Sequence, residues 1–289
     1  MRPTLLIDGN NLLIRAVEAT RRSAMHSPTG VDTSALVVFA NTLTRHVRVE
    51  APFRATVLWD GGHGARKALY PAYKATRPQA ADSYRDHCRA LTREWLRYSG
   101  IPQLQLAGVE ADDLIASYWH TATAPVTILS SDKDMLQLVG ATPTGHPCEQ
   151  IRISSANTPT DRWDATRVAG HYGCTPEQLP IAMALAGDTA DNIPGVRGIG
   201  MKRAVQHMSA AHWNLDGVTH PAIVEQREDI EVFRKLVDLR DGTRYDVPTI
   251  SPFMPVLPGP GAEWQALAAF LHQHGLRQLT RRLGAGELW

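Results

Sequence analysis

The feature that most constrains this chain is a recurrence. Three short apolar runs, "TLLID" (4–8), "ATVLWD" (55–60) and "PVTILSSD" (125–132), each end at or beside an aspartate: Asp8, Asp60 and Asp132, with Asp134 two residues later. Each run is too short for a typical helix and is rich in Leu, Ile, Val or Thr, so each reads as a strand. Between the first two, residues 32–47 place Leu36, Phe39, Leu43 and Val47 at three- and four-residue spacing behind an Asp32/Thr33 start signal, which predicts a helix. Strands alternating with helices predict an α/β fold, a mostly parallel central sheet with helices on both faces. Continuous apolar runs suit strands covered on both sides. Such sheets bind ligands outside the carboxyl ends of their strands. The aspartates are therefore expected at one edge, although any one of them alone reads equally well as a turn former.

Two further stretches enlarge the set. "GVEADDLIA" puts Glu110, Asp112 and Asp113 at the start of another helical pattern, Leu114, Ile115 and Tyr118. The helix dipole alone favours acids there. Glu110 and Asp113, however, share a helix face, and the short connection to the strand at 125–130 brings this helix start to the same edge. "AGDTADNIPGVRGIGMKRA" (186–204) adds Asp188 and Asp191, again three apart. So many carboxylates repel one another unless cations neutralise them. Oxygen ligands without Cys or His suit Mg²⁺ or Mn²⁺ and argue against zinc. Two such ions about 3.5–4 Å apart activate a water and stabilise a leaving oxygen in phosphoryl chemistry.

Composition narrows the setting. The 289 residues fit one or two domains, and a net charge of +1 means that any nucleic-acid footprint is local. Cys88, Cys148 and Cys174 are scattered and odd in number, which excludes a disulfide framework or a cysteine metal pair and suits a reducing compartment. No run of about 18 apolar residues predicts a membrane span, and the opening "TLLIDGNN" lacks the plan of a signal peptide. The expectation is a cytoplasmic monomer with no membrane association.

The motifs "LLIDGNNLLIRA", "WDGGHGARKALYPAYKATRP", "GVEADDLIA", "SSDKDMLQLV" and "GDTADNIPGVRGIGMKRA", in this order, resemble the 5′-nuclease (flap endonuclease/5′–3′ exonuclease) family, and "LHQHGLRQLTRRL" resembles its last helix. The family takes in nuclease domains of bacterial DNA polymerase I and free-standing phage enzymes. The resemblance spans essentially the whole chain and implies a PIN-like or resolvase-like α/β fold. It implies a first metal cluster at Asp8, Asp60, Glu110, Asp112 and Asp113, and a second at Asp132, Asp134, Asp188 and Asp191. Ser131 replaces a frequent glycine and Met201 a frequent proline, but no carboxylate is missing.

Residues 66–98 are dense in cations and are expected to form a helical arch. Arg85, Arg89, Arg93 and Arg97 recur every four residues, opposite Cys88, Leu91, Trp95 and Tyr98. That stripe reads either as the solvated face of an amphipathic helix or as a phosphate contact. The resemblance implies catalytic roles for Arg66, Tyr73, Lys74 and Arg77, with the cations steering phosphate and transition-state charge and Tyr73 stacking on an unpaired base. Pro78 predicts a break in the helix there.

Beyond residue 160, a helix is expected over 162–172, then a capping box in "TPEQ" (Thr175, Gln178), then a helix ending at Gly187 that Pro180 could bend. In "NIPGVRGIGMKRAV" the glycines allow close approach of backbone amides to phosphate, and a helix start favours anions. The resemblance implies a helix–3-turn–helix element (187–207) that grips duplex DNA through Gly195, Val196, Gly198, Ile199, Gly200, Lys202 and Arg203, with K⁺ on backbone carbonyls. The residues between Asp191 and Gly195 read as a spacer that sets the distance from gripped duplex to cut bond. The expected organisation is a nuclease domain (1–160), a helical duplex-binding region (161–250) and a C-terminal helical segment packing back (251–289).

The implied function is a structure-specific 5′ nuclease of DNA replication and repair. It would act at 5′ ends, flaps, nicks and gaps, with RNA primers on DNA as a second substrate and a polymerase or clamp as partner. With no polymerase region before Trp289, it is expected to act as a separate nuclease. The alternatives are a non-catalytic junction- or flap-DNA-binding protein that keeps the fold, and a ribonuclease of the related small acidic-site type. "GVRGIG" argues against the latter, which generally lacks a duplex-binding element.

Overall fold

The computed structural model describes residues 1–22, 25–77, 82–153, 161–253 and 261–286. Strands β1 (Thr4–Asp8), β2 (Arg54–Trp59), β3 (Gln103–Gln105), β4 (Val126–Leu129), β5 (Gly140–Ala141), β6 (Pro147–Arg152) and β7 (Asp161–Trp163) form one sheet in the order β3-β2-β1-β4-β6-β5, with β7 also paired to β6. The pairs β1–β2, β1–β4, β2–β3 and β4–β6 are parallel, whereas β5 and β7 run antiparallel to β6. The three predicted strands are thus the centre of a mostly parallel sheet.

Side-chain alternation builds two layers. Leu5 and Ile7 of β1 and Val57 and Trp59 of β2 enter one core, together with helices α1 (Gly9–Thr20) and α2 (Ser34–Glu50). Leu6 and Leu58 point the other way and meet Leu114, Ile115 and Trp119. Helices therefore cover both faces. After β2 comes the short α3 (Gly64–Leu69), turns over 71–76, and α4 (Ser83–Ser99). Cys88, Leu91, Trp95 and Leu96 anchor α4 in the first core, so this half of the predicted arch is tied down along one side. Pro78 lies outside the described residues. Helix α5 (Ala111–His120) follows β3 and supplies Leu114, Ile115 and Trp119.

The predicted helix over 162–172 divides. Arg162 and Trp163 pair with the β6 edge, and α6 (Ala165–Tyr172) begins only after Asp164, whose carboxylate caps it by accepting from the Arg167 amide at 2.8 Å. The helical pattern there missed an edge strand only three residues long. The capping box at Thr175 and Gln178 is present and opens a 3₁₀ turn leading into α7 (Leu179–Ala186). Pro180 lies in the first turn of α7, where its missing N–H costs nothing, so it needs no bend. Helices α8 (Met201–Ala210), α9 (Pro221–Glu225) and α10 (Arg227–Val237) share a separate core with α7, built on Met183, Leu185, Met208, Ile230 and Phe233. Helices α11 (Ala262–Gln273) and α12 (Arg277–Gly284) return Leu267, Phe270, Leu279 and Leu283 to the α1–α2–α4 core. Among the described residues, no helix is long and apolar enough to cross a membrane.

Candidate metal centre

The sheet order fixes where the acids meet. From β1 the chain proceeds to β2 and β3 on one side, then returns at β4 on the other, so the switch point lies at the carboxyl ends of β1 and β4. Asp8 ends β1. Its carboxylate accepts from the Asn11 amide (2.9 Å), capping α1, and from the Ser130 hydroxyl just past β4 (2.8 Å). Asp60 follows β2 and accepts from the Ala111 amide (2.8 Å) and from Asn10 Nδ2. Asp112 lies in the first turn of α5. Asp132 accepts from the Asp134 amide (3.0 Å), and Asp134 Oδ1 is buried without a hydrogen-bond partner.

The electrostatics show these groups to be mutual neighbours. Burial, with the charges of Asp60 and Asp132, pushes Asp8 up to about 7 despite its two hydrogen bonds. Burial raises Asp112 well above the carboxylate range, reinforced by Asp132, Asp8 and Asp60, and Asp134 is raised by burial and Asp132. An all-oxygen donor set that repels itself, with one buried oxygen unpartnered, fits a hard divalent cation. Among the described residues, no three acids converge into a ready-made ligand cage. Magnesium tolerates this, since it keeps several waters and takes few protein ligands.

The remaining acids carry the chain's own cations. Arg66 Nη1 donates to Glu110 (2.6 Å) and Asp113 (2.6 Å), and its Nη2 to Asp113 (2.8 Å). Lys74 Nζ pairs with Glu110 and stands 3.6 Å from Asp191. Arg77 reaches Asp191 at 2.6 Å, and Lys133 reaches Asp188 at 2.9 Å. Burial would raise Glu110, but Arg66 and Lys74 hold it below its ordinary value. Asp188 is likewise held down against burial by Lys133 and the Ala190 and Asp191 amides. Asp113 stays raised, because burial outweighs Arg66.

The four arch residues are therefore brought to the acids, but in unequal ways. Tyr73 departs from the stacking-platform expectation. It is 3% exposed, and its hydroxyl lies 3.0 Å from Glu110 and 2.9 Å from Asp191. Its ring belongs to the core of the helical region, so no face is open to a base. Arg66 is similarly enclosed, at 11% side-chain exposure, whereas Arg77 is half exposed at 53%. Segment 70–77 is stapled to the loop carrying Asp188 and Asp191: the Lys74 amide donates to Asp191 O (2.9 Å) and Asn192 Nδ2 to Ala72 O (2.6 Å). Lys74 adopts a left-handed backbone (φ 54°), a conformation that surrounding contacts must hold in place.

That loop is not a free spacer. Asp188 and Ile193 exchange two backbone hydrogen bonds of 2.8 Å. Gly195 (φ 62°) lies so close to Gly187 that an added Cβ would stand 2.6 Å from the Ala186 carbonyl carbon. The result is a rigid clip. It narrows the reading of the glycine loop: Gly195 packs on backbone, and the Val196 and Ile199 amides already donate within the chain, to Leu185 O (2.8 Å) and Val196 O (2.9 Å). Gly198, Gly200, Lys202 and Arg203 are exposed, and Arg203 donates to Gly198 O at 2.9 Å, tying the turn to α8.

On α4, Arg89 donates to Asn10 Oδ1 (3.2 Å) and Arg93 to Gln105, whose Nε2 donates to Asp60 O (2.7 Å). The stripe is therefore partly wired to Asp60 rather than wholly solvated. Asn10, Ser130, Gln105 and Lys133 were not singled out in the sequence. For Lys133 a signal existed, a cation between two candidate ligands in "SSDKD". The others are ordinary polar residues whose partners are distant in sequence.

Residues 3–173 match the family described as 5′–3′ exonuclease, N-terminal resolvase-like domain. A 5′–3′ exonuclease of Aquifex aeolicus is 30% identical over 252 residues, covering 83% of this chain and 82% of that protein. DNA polymerase I of Chloroflexus aurantiacus is 35% identical over 210 residues, covering 70% of this chain but only 21% of the polymerase, so the chain spans about a fifth of that relative's length. The solved structure of T5 5′-exonuclease with bound zinc superposes with a TM-score of 0.67 at 20% identity, over 99% of this chain and 100% of that one. The chain belongs to the 5′–3′ exonuclease family of nucleases.

Proposed function

We propose that the chain is a divalent-metal-dependent, structure-specific 5′ nuclease that hydrolyses DNA phosphodiesters at 5′ ends and 5′ flaps, leaving 5′-phosphate and 3′-hydroxyl. The observation that carries this reading is the uncompensated carboxylate edge, where Asp8, Asp112 and Asp134 are raised by burial and by one another. Two Mg²⁺ or Mn²⁺ ions are assigned to it, one toward Asp8, Asp60, Glu110, Asp112 and Asp113, the other toward Asp132, Asp134, Asp188 and Asp191. When bound, they would supply Lewis-acid polarisation of the phosphodiester and neutralise the charge it gains.

The chain's own groups do the rest. Arg66 fixes Glu110 and Asp113 in rotamer and charge through three hydrogen bonds. Arg77, half exposed beside Asp191, is the cation best placed to steer a phosphate inward, with Lys74 behind it. Tyr73 positions Glu110 and Asp191 through its hydroxyl. Gly198, Gly200, Lys202 and Arg203 hold duplex backbone, with K⁺ on nearby carbonyls. Backbone contact of this kind positions a helix without reading sequence, which supports RNA primers on DNA as a second substrate.

The domain that the DNA polymerase I relatives share with this chain supports a place in replication and repair beside a polymerase. A 5′-labelled flap DNA and a labelled RNA, each incubated with Mg²⁺ or EDTA, test the reading. Cleavage of the flap alone, with Mg²⁺ alone, is expected. Binding without cleavage would instead favour a junction-binding protein, and cleavage of RNA alone a ribonuclease.

A further inference from the structure

Every carboxylate oxygen of Asp188 and Asp191 receives a donor from the chain itself. Asp188 Oδ1 accepts from the Ala190 (2.8 Å) and Asp191 (3.3 Å) amides, and its Oδ2 from Lys133 (2.9 Å). Asp191 Oδ1 accepts from Arg77 (2.6 Å) and its Oδ2 from the Tyr73 hydroxyl (2.9 Å). Among the described residues, by contrast, no cation stands within ion-pair distance of Asp8, Asp60, Asp112, Asp132 or Asp134. The acids thus divide into a group without an ion pair of its own, on which Lys133 acts only through its charge on Asp134, and a group already paired. Lys133 stands at the division, between Asp132 and Asp134 in sequence and bonded across to Asp188.

We infer that Lys133 is a positioning residue that reserves Asp188. Its ammonium orients the carboxylate in the free chain and yields it to a divalent ion when a substrate phosphate draws the ammonium away. The inference rests on the nuclease reading above and deepens it. Lys133 is 47% exposed and Asp188 13%. A pair with one half in solvent is weak, so it orients without locking. A divalent ion on Asp188 would face the ammonium across a few ångströms, which like charges oppose. A DNA phosphate offers that ammonium a charge-assisted hydrogen bond, and the flexible four-carbon stem lets it swing to reach one. Metal binding at Asp188 and DNA binding are then positively coupled, and by linkage the coupling is reciprocal.

Calorimetric titration of the full chain with Mn²⁺, backed by the spin resonance of bound Mn²⁺, tests this with and without a 5′-flap DNA made cleavage-resistant by phosphorodithioate linkages at the junction. In the wild type, the DNA should tighten the weaker Mn²⁺ site. Lys133→Met should tighten that site in the free chain by roughly five-fold, the scale of one ion pair's coupling, and should lose the DNA-induced gain. Lys133→Arg should behave as wild type, and Asp188→Asn should lose the weaker ion. Mn²⁺ binding by free Lys133→Met that is unchanged or weaker, an equal DNA-induced gain in both proteins, or two ions retained by Asp188→Asn would each overturn the inference. An intact coupling in a wild-type chain that fails to cut with Mg²⁺ would count against the nuclease reading alone.

Discussion

The raised carboxyl of Asp8 predicts an unusual pH dependence of stability in metal-free protein. A carboxyl that rises from 3.8 to about 7 on folding holds its proton more tightly in the native state than in the unfolded chain. Its contribution to stability is full below the unfolded value and is lost as pH climbs through the folded one. At about 1.36 kcal/mol per unit, the loss between pH 5 and pH 8 is about 3 kcal/mol. Buried His46, pushed down to about 4 by burial, works the other way between pH 5 and 6.5, and the raised Asp112 and Asp134 work with Asp8, so the wild-type slope alone mixes several groups. The difference between wild type and Asp8→Asn cancels His46 and reports Asp8 together with the part of Asp112's rise that the Asp8 charge causes, which acts in the same direction. Thermal melts in EDTA should show the variant gaining on the wild type by about 3 kcal/mol as pH rises from 5 to 8, roughly 5–10 °C for a chain of this size. Saturating Mg²⁺ should remove the wild-type penalty at pH 8, because bound cation favours the ionised form. A difference that is flat with pH in EDTA would refute the claim that this edge lacks compensating charge.

Other perturbations have defined outcomes. Gly195→Ala forces a left-handed residue against the Ala186–Gly187 backbone and should cost about 2–4 kcal/mol in denaturant melts, whereas Gly198→Ala, also left-handed but with open space around it, should cost only about 1. An insertion between Asn192 and Pro194 should break the clip and abolish cleavage rather than shift the cut site, as a sequencing ladder of the products would show. Lys202→Gln and Arg203→Gln should each lower the log–log salt slope of duplex binding by about one while leaving sequence preference unchanged.

Much of this molecule was legible in the chain because its signals are local. The central strands are apolar runs closed by aspartate, and the acids lie within a few residues of a strand end or helix start. Strand β6, half polar and starting in the Pro- and Gly-rich "GATPTGHPCEQ", reads as loop in the sequence, and the edge strands β3, β5 and β7 were not legible either. They are two or three residues long, and β3 reads Gln-Leu-Gln, with no alternation long enough to count. The fate of Tyr73 was hidden for another reason. Its enclosure depends on Glu110 and Asp191, 37 and 118 residues away, and no local pattern encodes which side chain fills that space. The glycine loop was misread in part because a glycine needed for backbone packing and a glycine open to phosphate look the same in sequence. Only their neighbours distinguish Gly195 from Gly198.

The central claim is that acids drawn from β1 and from the clip after α7 serve one metal-dependent cleavage. The most direct measurement is single-turnover cutting of a 5′-labelled flap DNA by wild type, Asp8→Ala and Asp188→Ala in Mg²⁺, with binding of the same DNA measured in Ca²⁺. Both variants should bind the flap within a few-fold of wild type and cut it on the order of 100-fold more slowly or worse. Wild-type cutting rates in both variants would contradict the account.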